Sequence, residues 1–231
     1  MSADATTITE MTTDAATQPA PRSVPATVAG RLLDVAVAGV ALLLLLPVLA
    51  VIALAVRLSS PGPVLFRQRR VGRDLRPFTV LKFRTMRAGA SSAVHRDYVR
   101  SLIGNKPEPK THGKLYKLVV DDRVTGVGRF LRSWSLDELP QLWNVLRGEM
   151  SLVGPRPVIE YEVQEYPAWY LRRFAVKPGL TGLWQVSGRN ERTYEEMVRF
   201  DVEYAERHNL LLDLQILART AWVVVRRQGV A

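Results

Sequence analysis

A long apolar segment constrains the fold of this chain more than any other feature. Residues 35–56 are 22 consecutive positions without a charge, and they include five successive leucines, Leu42–Leu46. As a helix this segment would be roughly 33 Å long, about the thickness of one bilayer hydrocarbon core. A core helix of a soluble protein is rarely so long and so uniformly apolar. The segment therefore predicts a helix embedded in a membrane.

Pro47 and the flanking charges bear on how that helix sits in the membrane. Proline removes the hydrogen bond to the carbonyl of Leu43, four residues back, and favours a kink. Basic residues stand on both sides of the apolar run, and basic flanks prefer the cytoplasmic side. A straight span satisfies only one flank, whereas a helix broken at Pro47 can enter and leave by the same face. We predict a re-entrant helix over residues 29–58, with a spanning helix as the alternative.

The remaining sequence divides into a tail and one domain. Residues 1–28 are rich in Ala, Thr, Ser and Pro, lack apolar periodicity and match no secretory signal, so we expect a disordered tail. Residues 59–231 are long enough for one domain with a real core. The fold class predicted for it is α+β, mainly helical. The predicted elements are strands at Val64–Phe66 and Phe78–Leu81, a helix near Ala93–Ile103, and amphipathic helices over Tyr194–His208 and Leu210–Arg227.

Charge and composition exclude several kinds of site. The formal net charge is +10, which favours an anionic partner such as a nucleic acid, a membrane surface or a phosphorylated substrate. Zero cysteines exclude disulfides, thiolate metal sites and a cysteine nucleophile. The three histidines, His95, His112 and His208, match no metal-ligand spacing. Residues 57–87 contain nine Lys or Arg and one acid, which favours contact with anionic lipids.

The segment from Ser133 to Gly148 carries the first candidate for chemistry. Leucines mark one apolar face, Gly148 suits a helix end, and the adjacent carboxylates of Asp137 and Glu138 stand near its start. We predict Asp137 as the helix N-cap, with a Ser135–Glu138 capping box as the alternative. Capping alone is the commonest role of such a pair. A helix start also attracts phosphate, and cations or Mg²⁺ would have to offset the two carboxylates. The candidate cations are Lys82, Arg84, Arg129, Arg132, Arg156 and Arg189.

Two turn-rich segments are further candidates. Arg156 stands between Pro155 and Pro157, in a backbone with little freedom, which suits either a bidentate phosphate contact or a plain turn. The segment Lys177–Asn190 has three glycines and no acid, so it can approach a nucleotide closely, with Trp184 available for stacking. It matches neither the dinucleotide-binding pattern nor the P-loop pattern, and an ordinary surface loop explains it equally well.

Taken together, these segments resemble the bacterial sugar transferases, the monotopic phosphoglycosyl transferases that begin lipid-linked glycan assembly. The resemblance covers residues 31 to about 225 in the family's order, and it is most specific in Leu-Asp-Glu-Leu-Pro-Gln followed by Val-Gly-Pro-Arg-Pro. The segments that carry it are Arg31–Asp34, Ser60–Phe66, Lys82–Met86, Asp122–Thr125, Ser135–Gly148, Ser151–Pro157, Lys177–Asn190 and Asp201–Thr220.

The resemblance implies a reaction and roles for residues. A UDP-sugar donates sugar-1-phosphate to undecaprenyl phosphate and releases UMP, with Asp137 as the covalent nucleophile. Glu138 would hold Mg²⁺ or handle a proton, and the metal role is favoured. The resemblance implies UDP-glucose or UDP-galactose as donor. The residues expected to bind phosphate or nucleotide are Lys82, Arg132, Arg156 and Arg189.

The resemblance also implies a location and partners. The catalytic domain would lie on the cytoplasmic face of the cytoplasmic membrane, in contact with inner membrane lipids, and a homodimer is left open. Two features depart from the family. Many small members break the helix at Ser-Pro, whereas this chain has Leu46-Pro47. We also expect none of the additional N-terminal spans that larger members carry. A catalytically inactive membrane-tethered relative is the alternative function. Nucleic-acid binding is not expected, because no binding motif is present.

Overall fold

The computed structural model describes residues 27–87, 123–188 and 192–226. Its helices are α1 (Val28–Ser59), α2 (Gly126–Ser133), α3 (Gln141–Leu146), α4 (Glu160–Val163), α5 (Tyr194–Arg207) and α6 (Leu210–Val225). Its strands are β1 (Leu65–Val71), β2 (Pro77–Phe83), β3 (Ser151–Val153) and β4 (Gly179–Thr181). The mixed, mainly helical class predicted from the sequence is confirmed. The predicted tail, residues 1–28, lies outside the described residues as far as residue 26, and its last residue, Val28, begins α1 instead. The predicted helix near Ala93–Ile103 also lies outside the described residues.

Helix α1 carries the apolar run and is the one helix in the described ranges long and apolar enough to cross a membrane. It begins after Thr27, whose hydroxyl accepts a hydrogen bond from the Gly30 N–H at 3.1 Å. Pro47 lies inside this helix, which continues on both sides of it. One missing N–H weakens a helix locally without ending it. The helix is therefore continuous at Pro47, and the predicted break does not divide it into two helices.

Both halves of α1 pack against the same domain. Ala38 in the first half is fully buried in a core cluster that includes Val145 of α3. Val56 in the second half is fully buried in another cluster with Leu131 of α2. The middle of the helix exposes apolar side chains, with Leu43 71% exposed. One stripe of α1 therefore belongs to the protein core, and much of its remaining apolar surface is not covered by any residue that the structure describes.

Strands β1 and β2 form an antiparallel hairpin whose two faces point to different environments. The register pairs Gln68 with Val80 and Arg67 with Leu81. Because side chains alternate along a strand, Gln68, Arg70, Val80 and Lys82 share one face, and Arg67, Arg69, Thr79 and Leu81 share the other. Asn144 of α3 fixes the hairpin, because its side-chain oxygen accepts from the Leu81 N–H at 3.1 Å. The first face points toward the carboxylate pair described below.

Two glycines of the Lys177–Asn190 segment, Gly179 and Gly182, serve close backbone packing. Strands β3 and β4 are parallel, and a Cβ on Gly179 would lie 2.1 Å from the backbone nitrogen of Gly154. A Cβ on Gly182 would lie 2.4 Å from the Gly154 carbonyl oxygen. Only glycine fits such a crossing. Trp184 is buried among aromatic side chains, so the expectation that it is available to stack on a nucleotide is wrong.

Candidate active site

Asp137 and Glu138 lie in a single 3-10 turn, Leu136–Glu138, between α2 and α3. The predicted N-cap at Asp137 is wrong, because α3 starts only after Pro140. The alternative capping box also fails, since Ser135 makes no side-chain cap hydrogen bond. Ser135 has a φ of 55°, a left-handed conformation that turns the chain sharply at the end of α2. Because neither predicted capping interaction is present, both carboxylates are available to a functional site.

Glu138 is bound by two cations from distant parts of the chain. The Lys82 ammonium of β2 lies 2.7 Å from its Oε1, and the Arg156 guanidinium lies 3.5 Å from the same atom. The Lys82 and Glu138 side chains are each less than one-fifth exposed. Burial alone would raise the pKa of the Glu138 carboxyl, but Lys82 and Arg156 outweigh it and lower that pKa to about 2. Glu138 is therefore a fixed anion.

Asp137 has the opposite electrostatic balance. Burial raises the pKa of its carboxyl, and the charge of the adjacent Glu138 raises it further. Lys82, Arg132 and Arg156 oppose this effect without cancelling it. Two neighbouring carboxylates with pKa values pushed apart are typical of sites where each has its own task. Asp137 is therefore the less strongly stabilised anion of the two.

A buried ion pair holds the loop that carries Arg156 and Pro157. Arg173, in the 3-10 segment Ala168–Ala175, donates to the Arg156 carbonyl oxygen at 3.0 Å and to the Asp201 carboxylate of α5. Both side chains of this pair are almost fully buried. Arg70 donates to the Pro157 carbonyl oxygen at 3.1 Å from the hairpin side. Arg173 and Arg70 thus hold the loop directly, and Asp201 holds Arg173 in place.

Arg70 adds a third cation near Glu138. It shares a hairpin face with Lys82, and its guanidinium lies 3.8 Å from the Glu162 carboxylate of α4. Burial lowers the pKa of Arg70 to about 10, against the opposing charges of Glu162 and Glu138. A narrow crevice joins these groups, and its walls include Arg70, Lys82, Glu138, Gln141 and Arg156. The crevice therefore presents the Glu138 carboxylate beside an array of cations, with Asp137 next to Glu138 in sequence, which suits a diphosphate.

A sequence profile of the family described as bacterial sugar transferase matches residues 25–227. The chain belongs to the bacterial sugar transferase family. The family membership predicted from the sequence motifs is therefore confirmed.

Three relatives show which proteins this chain is similar to. The UDP-galactose-lipid carrier transferase of Erwinia amylovora is 45% identical over 80% of this chain and 38% of its own length. The UDP-glucose:undecaprenyl-phosphate glucose-1-phosphate transferase of Escherichia coli is 41% identical over 82% of this chain and 38% of its own length. The exopolysaccharide production protein ExoY of Rhizobium meliloti is 43% identical over 87% of each chain. The chain thus spans little more than a third of the first two relatives.

The structure of this sugar transferase brings most of the predicted site residues together. Lys82, Glu138 and Arg156 are in contact, and Asp137 adjoins them. Arg132 donates to the Thr85 hydroxyl at 2.9 Å, which holds it near the carboxylate pair. The predicted Arg189 lies outside the described residues. The predicted Pro47 lies within α1 and takes no part in this cluster.

Sequence reasoning missed three residues that build this site. Arg70 could have been found from the hairpin pairing. It follows Gln68, the partner of Val80, by two residues, and therefore lies on the same face as Val80 and Lys82. Arg173 and Asp201 carry no such local signal, because their 28-residue separation is closed only by tertiary packing. Their role is to shape the loop that carries Arg156.

The site offers two carboxylates to a metal. Across the described ranges, no group of three or more His, Cys, Asp or Glu side chains is placed to hold an ion. Mg²⁺ commonly binds one or two carboxylates together with substrate phosphates. One Glu138 oxygen takes both cationic contacts, and the second oxygen has no hydrogen bond to a described residue. The second oxygen of Glu138 therefore fits Mg²⁺ bound jointly with a diphosphate, with Asp137 beside it.

Proposed function

We propose that this sugar transferase moves a sugar-1-phosphate from a UDP-sugar to undecaprenyl phosphate and releases UMP. One observation carries the proposal: Glu138 is held by Lys82 and Arg156 while the adjacent Asp137 carboxylate keeps a raised pKa. That arrangement places a nucleophile beside cations that suit a diphosphate. The printed names of the Erwinia and Escherichia relatives describe the same class of transfer.

The reaction proceeds in two displacements at the phosphorus that bears the sugar. The Asp137 carboxylate attacks this phosphorus, its bond to the bridging oxygen of the diphosphate breaks, and UMP leaves with that oxygen. A phosphosugar–aspartyl ester remains on the chain. An oxygen of undecaprenyl phosphate then attacks the same phosphorus and frees the Asp137 carboxylate. Neither displacement requires a net proton transfer, so the positive charge of Lys82 and Arg156 is the main contribution of the surrounding residues.

Mg²⁺ is the proposed cofactor, held by Glu138 with Asp137 beside it. When bound, it would offset the charge of the donor diphosphate. Lys82, Arg156 and Arg70 fix the orientation of Glu138 and add positive charge around it. Arg189, in the segment after β4, is proposed as a further phosphate contact from the family resemblance.

The proposed donor is UDP-glucose or UDP-galactose. The Erwinia relative is named for UDP-galactose, and the Xanthomonas campestris and Escherichia coli relatives are named for UDP-glucose. The Rhizobium relative, of similar length, is named for exopolysaccharide production. We propose that this chain performs the first membrane step of such a polysaccharide.

The contacts of α1 support a re-entrant helix with the domain on the cytoplasmic face. Near its start, the Arg31 guanidinium donates to the carbonyl oxygens of Val145 and Leu146 at 2.6 and 2.7 Å. Near its end, the Arg84 guanidinium donates to the Ser60 carbonyl oxygen at 2.6 Å. Both ends therefore touch the same domain, which favours entry and exit by one face of the bilayer over a span. The basic flanks of the run favour the cytoplasmic side.

Single cysteines test this topology, since the chain has none of its own. Val28→Cys and Leu58→Cys replace side chains of almost equal exposure, 77% and 76%, near the two ends of α1. A membrane-impermeant thiol reagent should label both only after the inner face of the membrane is opened. Labelling of the two positions from opposite faces would refute the re-entrant helix.

A UMP-release assay tests the activity. Wild-type protein, UDP-glucose or UDP-galactose, undecaprenyl phosphate and Mg²⁺ should give UMP, and Asp137→Asn should reduce the rate at least about 10³-fold. Glu203→Gln is the matched control, because it also removes one negative charge, from an exposed ion pair with Arg207. An inactive wild type across UDP-sugars would favour the membrane-tethered binding relative instead.

A further inference from the structure

A second basic pocket lies on the face of the β1–β2 hairpin opposite to the active site. Its volume is about 760 Å³, within the range of small-molecule sites. Arg67 and Leu81 line it, and the register places them on the opposite face from Lys82. The hairpin therefore separates this pocket from the carboxylate pair, and the reaction proposed above does not use it.

The pocket holds more positive than negative charge. Its lining carries five cationic side chains, Arg67, Arg73, Arg76, Arg147 and Lys177, and two carboxylates, Asp74 and Glu149. The carboxylates are already used locally: Asp74 lies 3.5 Å from Arg73, and Glu149 lies 3.4 Å from Arg147. The side chains of Arg67, Arg76 and Lys177 make no ion pair with any residue that the structure describes. Three charges are thus left for an external anion.

Two cations are held close together at one edge of this pocket. A Cβ built on Gly148 would lie 3.4 Å from an Arg31 guanidinium nitrogen and 3.5 Å from the Lys177 ammonium. The absence of a side chain at Gly148 lets both head groups approach the same point. Burial lowers the pKa of Lys177, and the charges of Arg31 and Arg73 lower it further. A bound anion would reduce the repulsion between Lys177 and these two arginines.

The same edge adjoins the membrane helix. Arg31 belongs to the first turns of α1 and donates to the carbonyl oxygens at the end of α3. Trp143, which lines the pocket, is 51% exposed although tryptophan is usually well covered. Exposed tryptophan beside basic residues is typical of protein surfaces at the lipid headgroup level. The pocket therefore opens where a phosphate at the membrane surface can reach it.

We propose that this pocket binds the phosphate headgroup of an anionic membrane phospholipid, separately from the reacting substrates. Lys177, Arg76 and Arg67 would contact the phosphate, and Trp143 would lie against the glycerol and upper acyl region. This inference shares with the proposed function the membrane placement of α1, but it does not depend on the transfer chemistry. A free phosphate or nucleotide offers the same charge, so the experiment must separate these sources.

Native mass spectrometry of the full chain in a nonionic detergent tests the site. Phosphatidylglycerol or phosphatidylcholine is added at equal mole fraction, and the lipid retained per chain is counted. Wild type should retain phosphatidylglycerol preferentially, and Arg76→Gln/Lys177→Gln should lower that retention about tenfold. The matched control is Arg199→Gln/Arg207→Gln, which removes two cations from exposed helical pairs of α5. It should retain lipid as wild type does.

Several results would overturn the proposal. These are equal retention of the two lipids by wild type, unchanged retention in the pocket variant, or the same loss in the control variant. Loss of phosphatidylglycerol on adding excess inorganic phosphate or UMP would assign the pocket to a soluble anion. Cooperative thermal unfolding of both variants shows that they are folded. Lipid retention does not require activity, so the site can be tested even if the wild type releases no UMP.

Discussion

The Lys82 ammonium lies 2.7 Å from a Glu138 carboxylate oxygen, although 56 residues separate the two in sequence. This contact ties the β1–β2 hairpin to the 3-10 turn that follows α2. Because both side chains are mostly buried, little water screens their attraction. The contact fixes Glu138 as an anion and places a cation next to Asp137. The proposed chemistry depends on that asymmetry between neighbouring carboxylates.

Replacing Glu138 should cost most of the activity. Glu138→Gln leaves Lys82 and Arg156 without their shared anion, so the cations around Asp137 lose their fixed positions. UMP release should fall about 10²-fold or more. Glu160→Gln is the control, because it removes a carboxylate that pairs with Arg69 outside the crevice. Equal rates for the two variants would contradict a role for Glu138 in the reaction.

The pH dependence of the rate should report the raised pKa of Asp137. Only the ionised carboxylate attacks phosphorus, so the rate falls as the pH drops through the pKa of Asp137. That limb lies at higher pH than for an ordinary aspartate, because burial and Glu138 raise the pKa above 3.8. Glu138→Gln removes a neighbouring negative charge and should move the limb to lower pH. Lys82→Met removes a positive charge and should move it to higher pH.

Rate profiles of the two variants provide the check on this electrostatic account. The sign of each shift is the measurement, and it does not depend on how much activity remains. Shifts in the same direction for Glu138→Gln and Lys82→Met would show that the acid limb belongs to another group. Asp74→Asn, at an exposed position, should leave the limb where it is in wild type.

Much of this arrangement could be predicted from the sequence, because it is encoded locally. The apolar run, the helices after Thr193 and Asn209, and the Gly148 helix end all follow from periodicity and capping. Each of these signals comes from residues only a few positions apart. The family motifs likewise stand as continuous segments.

The remaining features arise from tertiary packing. Asp137 looks like an N-cap in sequence, but Pro140 and the left-handed Ser135 shift the start of α3. The role of Gly179 depends on a backbone 25 residues away, at Gly154. Trp184 looked available for a ligand and instead fills the core. Only the folded chain shows which of these positions approach one another.

The buried pair of Arg173 and Asp201 should be important for stability. Arg173→Met leaves the Asp201 carboxylate buried and unpaired, which typically costs about 3–5 kcal/mol. Arg172→Met is a close control, because Arg172 is its neighbour in sequence but 61% exposed. Thermal unfolding in detergent should show a large loss for Arg173→Met and little for Arg172→Met. Similar unfolding temperatures would contradict the assigned role.

The attachment of α1 to the rest of the domain can be tested at Asp34. Its carboxylate accepts the Leu152 N–H at 2.8 Å and the Ser151 hydroxyl at 3.0 Å. Asp34→Ala leaves a buried N–H without a partner and should cost about 1–3 kcal/mol. Ser151→Ala removes only the hydroxyl and should cost less. Unfolding temperatures measure both, and a greater loss for Ser151→Ala would contradict this assignment.

The most direct test of the account is the intact mass of the protein after incubation with UDP-sugar and Mg²⁺ in the absence of undecaprenyl phosphate. We expect a mass increase of one hexose phosphate, which is lost when undecaprenyl phosphate is added and is absent in Asp137→Asn. The same mass increase in Asp137→Asn would contradict the account, as would UMP release by wild type with no modified chain at any time.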